Sequence, residues 1–276
     1  MIGFIGGGNM AEALIKGMTA KGMKEIVVSE PREERGKELQ RAYGIQTTTS
    51  NREVAASCDI IFLAVKPQIM EAVLDEIAAD ITDKKMVVSI AAGITLSYLT
   101  SKLKTELIIR VMPNTPAIVQ EGMSVMSLCG CFHGKELDTV KSILMSVGKI
   151  IVLPEDQMNA VTALSGSGPG FFALFAEAMI EAGVKLGLNR PDAVELAVQT
   201  VLGTAKLLDT GMSAENLRKM VTSPGGTTAA GLKVFEERNF MDIVADALKA
   251  SRTRADELGR RGECLFSEIC SLLSRK

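Results

Sequence analysis

The chain has 276 residues, of which 47% are hydrophobic and 23% are charged, and its formal net charge is −2. This length suits one large domain or two modest ones, with ample apolar material for a core. The near-neutral charge, the two tyrosines and the absence of tryptophan exclude the basic, aromatic-rich surface of a typical nucleic-acid-binding protein.

The cysteines and the single histidine limit the possible chemistry. Five cysteines are scattered without the spacing of a disulfide framework or a zinc site, which predicts reduced thiols and a cytoplasmic protein: Cys58, Cys129, Cys131, Cys264 and Cys270. His133 precedes a predicted helix and is interpreted as a solvated turn residue. One histidine cannot build a multi-histidine metal site, so no metal is predicted.

We expect neither a signal peptide nor a membrane span. The glycines at Gly6–Gly8 interrupt the N-terminal apolar run, and no basic residues precede it. The apolar stretch after Phe171 carries Glu177, Glu181 and Lys185, which makes it a poor match for the hydrocarbon core of a bilayer.

The chain begins with the pattern of a dinucleotide-binding unit. A short apolar strand, Ile2–Ile5, leads into a G-x-G-x-x-A motif and then a helical pattern through Lys21. The glycines allow a tight turn, so that backbone N–H groups at the helix N-terminus can approach a pyrophosphate. The predicted pyrophosphate-binding residues are Gly6, Gly8, Asn9, Met10 and Ala11.

The second predicted strand, Glu25–Glu30, ends near the position where an acidic residue binds the ribose of NAD. Arg32 and Arg35 follow, and either could instead accept the 2′-phosphate of NADP. Glu30 could also be a simple helix-cap charge, because Pro31 favours the start of a helix. Both NADH and NADPH therefore remain candidate cofactors.

Three apolar, unalternated strands follow, as expected of parallel strands covered on both faces: Asp59–Val65, Met86–Ile90 and Leu107–Val111. Helices fit Gln68–Ala79 and Leu96–Leu103 between them. The carboxyl ends of such strands meet at one edge of the sheet, which predicts a cofactor crevice there, although each loop alone is consistent with an ordinary turn. The candidate residues are Ala64, Val65, Lys66, Pro67, Ala91, Ala92 and Asn114.

Two domains are predicted. A strand over Gly122–Leu128, a helix over Lys135–Val147 and a last strand over Ile150–Leu153 complete an α/β, Rossmann-type N-terminal domain, residues 1–154, with a mostly parallel doubly wound sheet. From residue 155 the pattern is helical, so 155–276 is predicted to be an all-α domain for substrate binding and dimerisation.

The junction and the long helices suggest a second subunit. The small residues of Ala163–Gly170 predict a loop at a domain junction that also lines the active site. The helix Pro169–Leu186 is apolar on nearly every face, and Asn239–Arg260 is predicted to turn Ile243 and Val244 inward. A helical domain of this size has too little interior for such surfaces, which predicts a partner subunit.

The segment Val221–Thr228 is the clearest candidate binding motif in the C-terminal half of the chain. Its Ser-Pro pair predicts an N-cap and a first-turn proline. Two glycines and two threonines follow, which would offer backbone N–H groups and hydroxyls to a carboxylate, and a merely capped helix is the alternative. The candidate substrate-binding residues are Ser223, Gly225, Gly226, Thr227 and Thr228.

These motifs, in this order, resemble those of the pyrroline-5-carboxylate reductase family over nearly the whole chain. They are Gly6–Ala11, Ala64–Pro67, Val111–Pro116, Thr162–Pro169, Gln199-Thr200 with Gly203, Val221–Thr228 and Arg252–Leu258. The resemblance implies NAD(P)H-dependent reduction of the cyclic imine 1-pyrroline-5-carboxylate to L-proline, the last step of proline biosynthesis. It also implies a homodimer with interleaved helical domains, which some family members stack into a decamer of five dimers.

The resemblance also assigns roles. It implies that Asn51 and the Ala64–Pro67 loop contact the ribose and adenine side of the cofactor, and that Ala91 and Ala92 lie along the nicotinamide side. The substrate carboxylate would bind at residues 223–228, with the catalytic Thr228 hydrogen-bonded to the ring nitrogen. Many relatives have a small or basic residue in place of Glu30, which leaves the cofactor preference open.

Two other functions fit part of the pattern. A β-hydroxyacid dehydrogenase shares the layout of residues 1–120 but relies on a lysine in the helix after its second glycine-rich loop, and Phe171–Ile180 contains none. A dinucleotide-sensing protein without catalysis would keep the Rossmann fold, but it would need no second carboxylate site at 221–228.

Overall fold

The computed structural model describes the backbone of residues 1–129 and 134–273 and the side chains of these ranges as far as residue 259. Cys58 is buried and Cys129 half-buried, and both are free thiols, as predicted. Cys131 and His133 lie outside the described residues, as do the side chains of Cys264 and Cys270, so the predictions made for them stay predictions.

Within the described chain, one sheet contains the strands β1 (Ile2–Ile5), β2 (Ile26–Ser29), β3 (Gln46–Thr48), β4 (Ile60–Leu63), β5 (Met86–Ser89), β6 (Ile108–Met112), β7 (Gly122–Leu128) and β8 (Gly148–Val152). The α-helices are α1 (Asn9–Ala20), α2 (Glu33–Tyr43), α3 (Asn51–Ser57), α4 (Met70–Ile77), α5 (Leu96–Leu103), α6 (Lys135–Met145), α7 (Met158–Val161), α8 (Gly168–Lys185), α9 (Arg190–Asp209), α10 (Ala214–Met220), α11 (Thr227–Glu237) and α12 (Phe240–Leu273).

The sheet has the order β3-β2-β1-β4-β5-β6-β7-β8. All neighbours pair in parallel except β6 and β7, which are antiparallel. Successive residues of β1 point to opposite faces, so Phe4 joins the core cluster that contains α1 and α6, and Ile5 joins the one that contains α4 and α5. The predicted mostly parallel, doubly wound sheet is confirmed.

Two short elements were absent from the sequence prediction. Strand β3 is three residues long and has no buried residue, so it lacks the apolar run that marks the other parallel strands. Helix α3 does carry a start signal: Ser50 and Glu53 form an S-x-x-E pattern, and the Ser50 hydroxyl accepts a hydrogen bond from the Glu53 N–H at 3.2 Å.

The segment Ala163–Gly170 is not the loop that its small residues predicted. Residues Thr162–Gly166 form a turn of π-helix after α7, and α8 begins at Gly168. Gly166 packs closely against Met112, since a Cβ atom there would lie 2.5 Å from Met112 Cε, whereas a Cβ atom on Gly168 or Gly170 would meet no described atom within 4 Å. The small residues therefore lie within a helical stretch rather than in a break between helices.

The described chain divides into two compact units, and this division differs from the predicted one. The first unit contains residues 1–167 and 250–276, and the second contains Gly168–Lys249. The boundary between them falls inside the segment Ala163–Gly170, where a domain junction was predicted. The proposed domains, 1–154 and 155–276, stay a prediction.

The helices of the second unit expose much of their apolar surface. Within α8 only Gly168 is buried, and Phe172 is 70% exposed. Ile243 and Val244, predicted to face inward, are also exposed, so the predicted inward orientation is wrong for the described residues of this chain. One helical stretch of the described chain, Glu155–Lys185, is long and apolar enough to cross a membrane, by length and composition only. Of its 18-residue apolar segment, 11% is buried.

A buried arginine joins several elements of the first unit. Arg110 on β6 is 3% exposed, and its guanidinium donates to Glu155 at 3.1 Å and to Asn159 at 3.3 Å. Asn159 in turn donates to Asp256 of α12 at 2.6 Å, and Glu155 accepts the N–H of Leu96 at 2.6 Å. Burial lowers the pKa of Arg110, although the hydrogen bond and charge of Glu155 oppose this shift.

Loss of Glu155 should therefore destabilise the fold more than loss of an exposed ion-pair partner. Glu155→Ala leaves the Arg110 charge buried without its carboxylate and should lower the free energy of unfolding by about 3 kcal/mol. Glu215, which forms an exposed pair with Lys219 at 2.6 Å, provides the control, and Glu215→Ala should cost less than about 1 kcal/mol. Urea unfolding at one fixed protein concentration would compare them, and equal losses would contradict the role of Arg110.

Candidate functional site

The pairing register brings three strand ends to one edge of the sheet. Ile5 of β1 lies opposite Ser29 of β2 and Leu63 of β4. The next residues continue this alignment, since the Gly6 N–H donates to Ser29 O at 2.8 Å and the Ala64 N–H donates to Ile5 O at 2.9 Å. The predicted pyrophosphate turn, Glu30 and the Ala64–Pro67 loop are thus neighbours.

The glycine turn has the form that a dinucleotide requires. Gly6 has a φ of +100°, and a Cβ atom there would lie 2.7 Å from Ala64 O. Gly8 is the N-cap residue of α1 and makes no side-chain cap, and a Cβ atom on it would meet no protein atom within 4 Å. The space beside Gly8 is therefore open, which fits a bound pyrophosphate.

The start of α1 supplies free donors at this place. The first helical hydrogen bond runs from the Glu12 N–H to Gly8 O at 2.9 Å. The N–H groups of Asn9, Met10 and Ala11 consequently have no partner within the helix. With the positive end of the helix dipole, these groups form a site for an anion.

Side chains bind both the N–H and the carbonyl oxygen of Gly7. Its N–H donates to Glu30 Oε2 at 3.1 Å, and its carbonyl oxygen accepts from Arg35 Nε at 2.9 Å. Arg35 also forms an ion pair with Glu12 in the first turn of α1. The turn is thus shaped by Glu30, which follows β2, and by Arg35 of α2.

Glu30 is buried and its carboxylate is fully engaged. Oε1 accepts from the Arg32 backbone N–H at 3.1 Å and from Arg32 Nε at 2.8 Å, while Arg32 Nη2 donates to Oε2 at 3.1 Å. Burial raises the pKa of Glu30, but the hydrogen bonds from Arg32 and Gly7 outweigh it and hold the pKa below its ordinary value. Helix α2 begins at Glu33 rather than at Pro31, and the Glu30 carboxylate accepts the backbone N–H of Arg32, its N-cap residue, so the helix-cap interpretation of this charge stays open.

The two arginines proposed for a 2′-phosphate differ in availability. The Arg35 side chain is 20% exposed and is committed to Gly7, Glu12 and Glu38. The hydrogen bond from Arg35 lowers the pKa of Glu12, which also accepts from the Tyr43 hydroxyl at 2.8 Å. Arg35 is therefore structural, whereas the Arg32 side chain is 69% exposed.

The other predicted cofactor residues lie at the same edge. Asn51 begins α3, where its Oδ1 accepts from Ser29 Oγ at 2.7 Å and its Nδ2 donates to Glu76 at 2.8 Å. Ala91 is buried after β5, and its N–H donates to Ser89 Oγ at 3.4 Å, while Ala92 is half-buried. The contacts of these residues with a cofactor stay a prediction.

Asn114 has a partner that sequence reasoning missed. Its Oδ1 accepts the Met123 N–H at 2.8 Å, and its Nδ2 donates to Ser165 Oγ at 3.3 Å. Ser165 lies in the π-helical turn, so Asn114 links the end of β6 to that turn. The only sequence signal was the cluster of small residues around Ser165.

The structure corrects the predicted helix start at Ser223 and Pro224. Helix α11 begins at Thr227, with Gly226 as an N-cap residue that makes no side-chain cap. The Gly226 N–H donates to Ser223 O at 3.0 Å, and Gly225 has a φ of +70°. A turn with proline second and a positive-φ glycine third is of type II, which explains the glycine pair.

The N-terminus of α11 offers donors as α1 does. Its first helical bond runs from the Ala230 N–H to Gly226 O at 3.1 Å, so the N–H groups of Thr227, Thr228 and Ala229 have no partner within the helix. Thr228 is half-buried and Thr227 is exposed. This end of the helix suits a carboxylate flanked by hydroxyls.

Comparison with known proteins covers both halves of the chain. The family model for pyrroline-5-carboxylate reductase dimerisation matches residues 155–258, and one described as NADP oxidoreductase, coenzyme F420-dependent, matches residues 1–93. The pyrroline-5-carboxylate reductase of Synechocystis is 40% identical over 94% of this chain and 98% of its own. The chain belongs to the pyrroline-5-carboxylate reductase family.

Solved structures agree with this assignment. A pyrroline-5-carboxylate reductase from Coxiella burnetii has a TM-score of 0.85 and 38% identity, covering 93% of this chain and 97% of its own. The Plasmodium falciparum pyrroline carboxylate reductase with NADP bound has a TM-score of 0.84 and 32% identity. The match covers 94% of this chain and 97% of that one. The expected NAD(P)-dependent oxidoreductase of proline biosynthesis, with a small-molecule substrate and an oligomer-forming helical region, is confirmed.

The rival dehydrogenase function gains no support. A 3-hydroxyisobutyrate dehydrogenase from Mycobacterium tuberculosis is 16% identical with a TM-score of 0.50, and this likeness shows the fold alone.

Two glycines of the turn should respond differently to alanine. Gly8→Ala should leave the free energy of unfolding within about 0.5 kcal/mol, because the protein leaves room for the methyl group. It should weaken NADPH binding at least about tenfold, since the methyl group takes space beside the anion site. Gly6→Ala should cost about 2 kcal/mol of stability through its positive φ. Unfolding curves and calorimetric titration measure both, and normal NADPH affinity in Gly8→Ala would contradict the assignment.

Proposed function

We propose that the enzyme binds its dinucleotide at the N-terminus of α1 and the carboxylate of 1-pyrroline-5-carboxylate at the N-terminus of α11. The observation that carries this proposal is that both helices begin after a glycine without a side-chain cap, which leaves three backbone N–H groups at each start. A reductase of a carboxylated imine needs two anion sites, one for a pyrophosphate and one for a carboxylate.

The cofactor half of the proposal rests on the edge formed by β1, β2 and β4. The N–H groups after Gly8 would hold the pyrophosphate, Asn51 and Ala64–Pro67 would border the ribose and adenine, and Ala91, Ala92 and Asn114 would border the nicotinamide. When bound, the reduced nicotinamide supplies a hydride to the imine carbon. The residues that border the cofactor would orient the nicotinamide for this transfer.

The substrate half rests on the turn before α11 and its first residues. Ser223, Gly225, Gly226 and Thr227 would bind the carboxylate, and the Thr228 hydroxyl would hydrogen-bond to the ring nitrogen. A cyclic imine is basic enough to be protonated near neutral pH, so the chain need supply no strong acid. A threonine hydroxyl, or a water it holds, suffices for this proton, which agrees with a chain of one histidine.

The exposed helices support the oligomer that we propose. The dimerisation family model covers the residues whose apolar side chains are left exposed, including Phe172 and Ile243. A homodimer would bury them, and five dimers would form a decamer. The free thiols of Cys58 and Cys129 support a reducing, cytoplasmic location.

The reaction is tested by supplying the full-length enzyme with 1-pyrroline-5-carboxylate and either NADPH or NADH. Loss of the absorbance of the reduced nicotinamide together with formation of L-proline supports the proposal. Protein that binds NADPH but oxidises neither cofactor would contradict it and favour a dinucleotide sensor.

Thr228→Ala should lower kcat at least about tenfold while leaving the affinity for NADPH unchanged, because in the proposed site the hydroxyl would contact the substrate and not the cofactor. Thr228→Ser should restore most of the activity. Thr139→Ala is the matched control, since the Thr139 hydroxyl only donates to Lys135 O on α6, at 2.9 Å. Steady-state kinetics and NADPH titration give both quantities, and unchanged turnover in Thr228→Ala removes Thr228 from the mechanism.

A further inference from the structure

The segment after β2 carries an acidic side chain, Glu30, and a cationic one, Arg32, which would favour different cofactors. In the common dinucleotide fold, a carboxylate here accepts hydrogen bonds from the ribose hydroxyls of NAD, and a nearby arginine accommodates the 2′-phosphate of NADP. Glu30 and Arg32 both occupy this region, so their contacts decide between the two cofactors.

The Glu30 carboxylate is not available to a ribose. Its side chain is 5% exposed, and its two oxygens accept from Gly7 N–H, from Arg32 N–H and from two nitrogens of the Arg32 guanidinium. Two ribose hydroxyls could reach these oxygens only after Arg32 had left them. That departure would remove the charge partner of a buried carboxylate.

Arg32 keeps free donors while it is paired. A guanidinium has five N–H groups, and the two nitrogens that bind Glu30 are Nε and Nη2. Nη1 and the outer hydrogen of Nη2 are not used in this pairing. The side chain is 69% exposed, so these donors face solvent beside the glycine turn.

We infer that Arg32, ion-paired to Glu30, recognises the adenosine 2′-phosphate and makes the enzyme prefer NADPH to NADH. This inference rests on the proposed dinucleotide site at α1. The ion pair fixes the plane of the guanidinium, so that less side-chain freedom is lost when a phosphate binds. Arg35, the other arginine near the turn, is occupied by Gly7 and Glu12 and cannot take this role without releasing the turn.

The test separates phosphate recognition from turnover. Calorimetric titration of the full-length protein with adenosine 2′,5′-bisphosphate and with AMP isolates the 2′-phosphate. Wild-type protein should bind the bisphosphate at least about tenfold more tightly than AMP. Arg32→Ala should abolish this difference while the affinity for AMP changes less than about threefold. Arg41→Ala, which removes an exposed arginine from the same helix region, should retain it.

Equal affinity of the wild-type protein for the two nucleotides would overturn the inference, as would a preference that survives Arg32→Ala. Kinetics distinguish this failure from failure of the proposed function. Equal kcat/KM for NADPH and NADH would leave the reductase activity standing and overturn only the role of Arg32. Binding of neither nucleotide would overturn the dinucleotide site as well.

Discussion

The backbone of Gly7 is the constraint on which the candidate site depends. Glu30 accepts its N–H and Arg35 donates to its carbonyl oxygen, so the turn between β1 and α1 is fixed by two side chains that follow β2. A side chain at this position is impossible without rearrangement, because a Cβ atom would lie 2.8 Å from Leu39 Cδ1. The Gly7 N–H is therefore bound to Glu30 and is not available to a cofactor, whereas the backbone N–H groups at the start of α1 remain free.

The two proposed anion sites are built in the same way. Gly8 has φ and ψ of −72° and 179°, and Gly226 has −77° and 170°, so both glycines are extended and lead directly into a helix. Helices α5 and α10 instead begin with Thr95 and Ser213, whose hydroxyls accept backbone hydrogen bonds. A side-chain cap would satisfy the donors that a pyrophosphate or a carboxylate needs, and glycine leaves them open.

Sequence predicted the parts of this structure that depend on local patterns. Apolar runs located the buried strands, and glycines located the turn before α1, whereas the turn before α11 was mistaken for the start of the helix. It could not predict that Glu30 binds Gly7 or that Asn114 binds Ser165, because strand pairing and packing bring together residues that are distant in the chain. It also mistook Ala163–Gly170 for a loop, since glycine and serine favour turns, whereas here they lie within helical turns.

The central claim is that the glycine turn is shaped by the chain before any cofactor binds, and amide hydrogen exchange resolved by residue tests it most directly. In cofactor-free protein the Gly7 amide should exchange as slowly as that of Gly6, which donates to Ser29 O at 2.8 Å. The Asn9 and Met10 amides should exchange quickly and slow down when NADPH is added. A Gly7 amide that exchanges as fast as an exposed loop until NADPH is added would contradict the account.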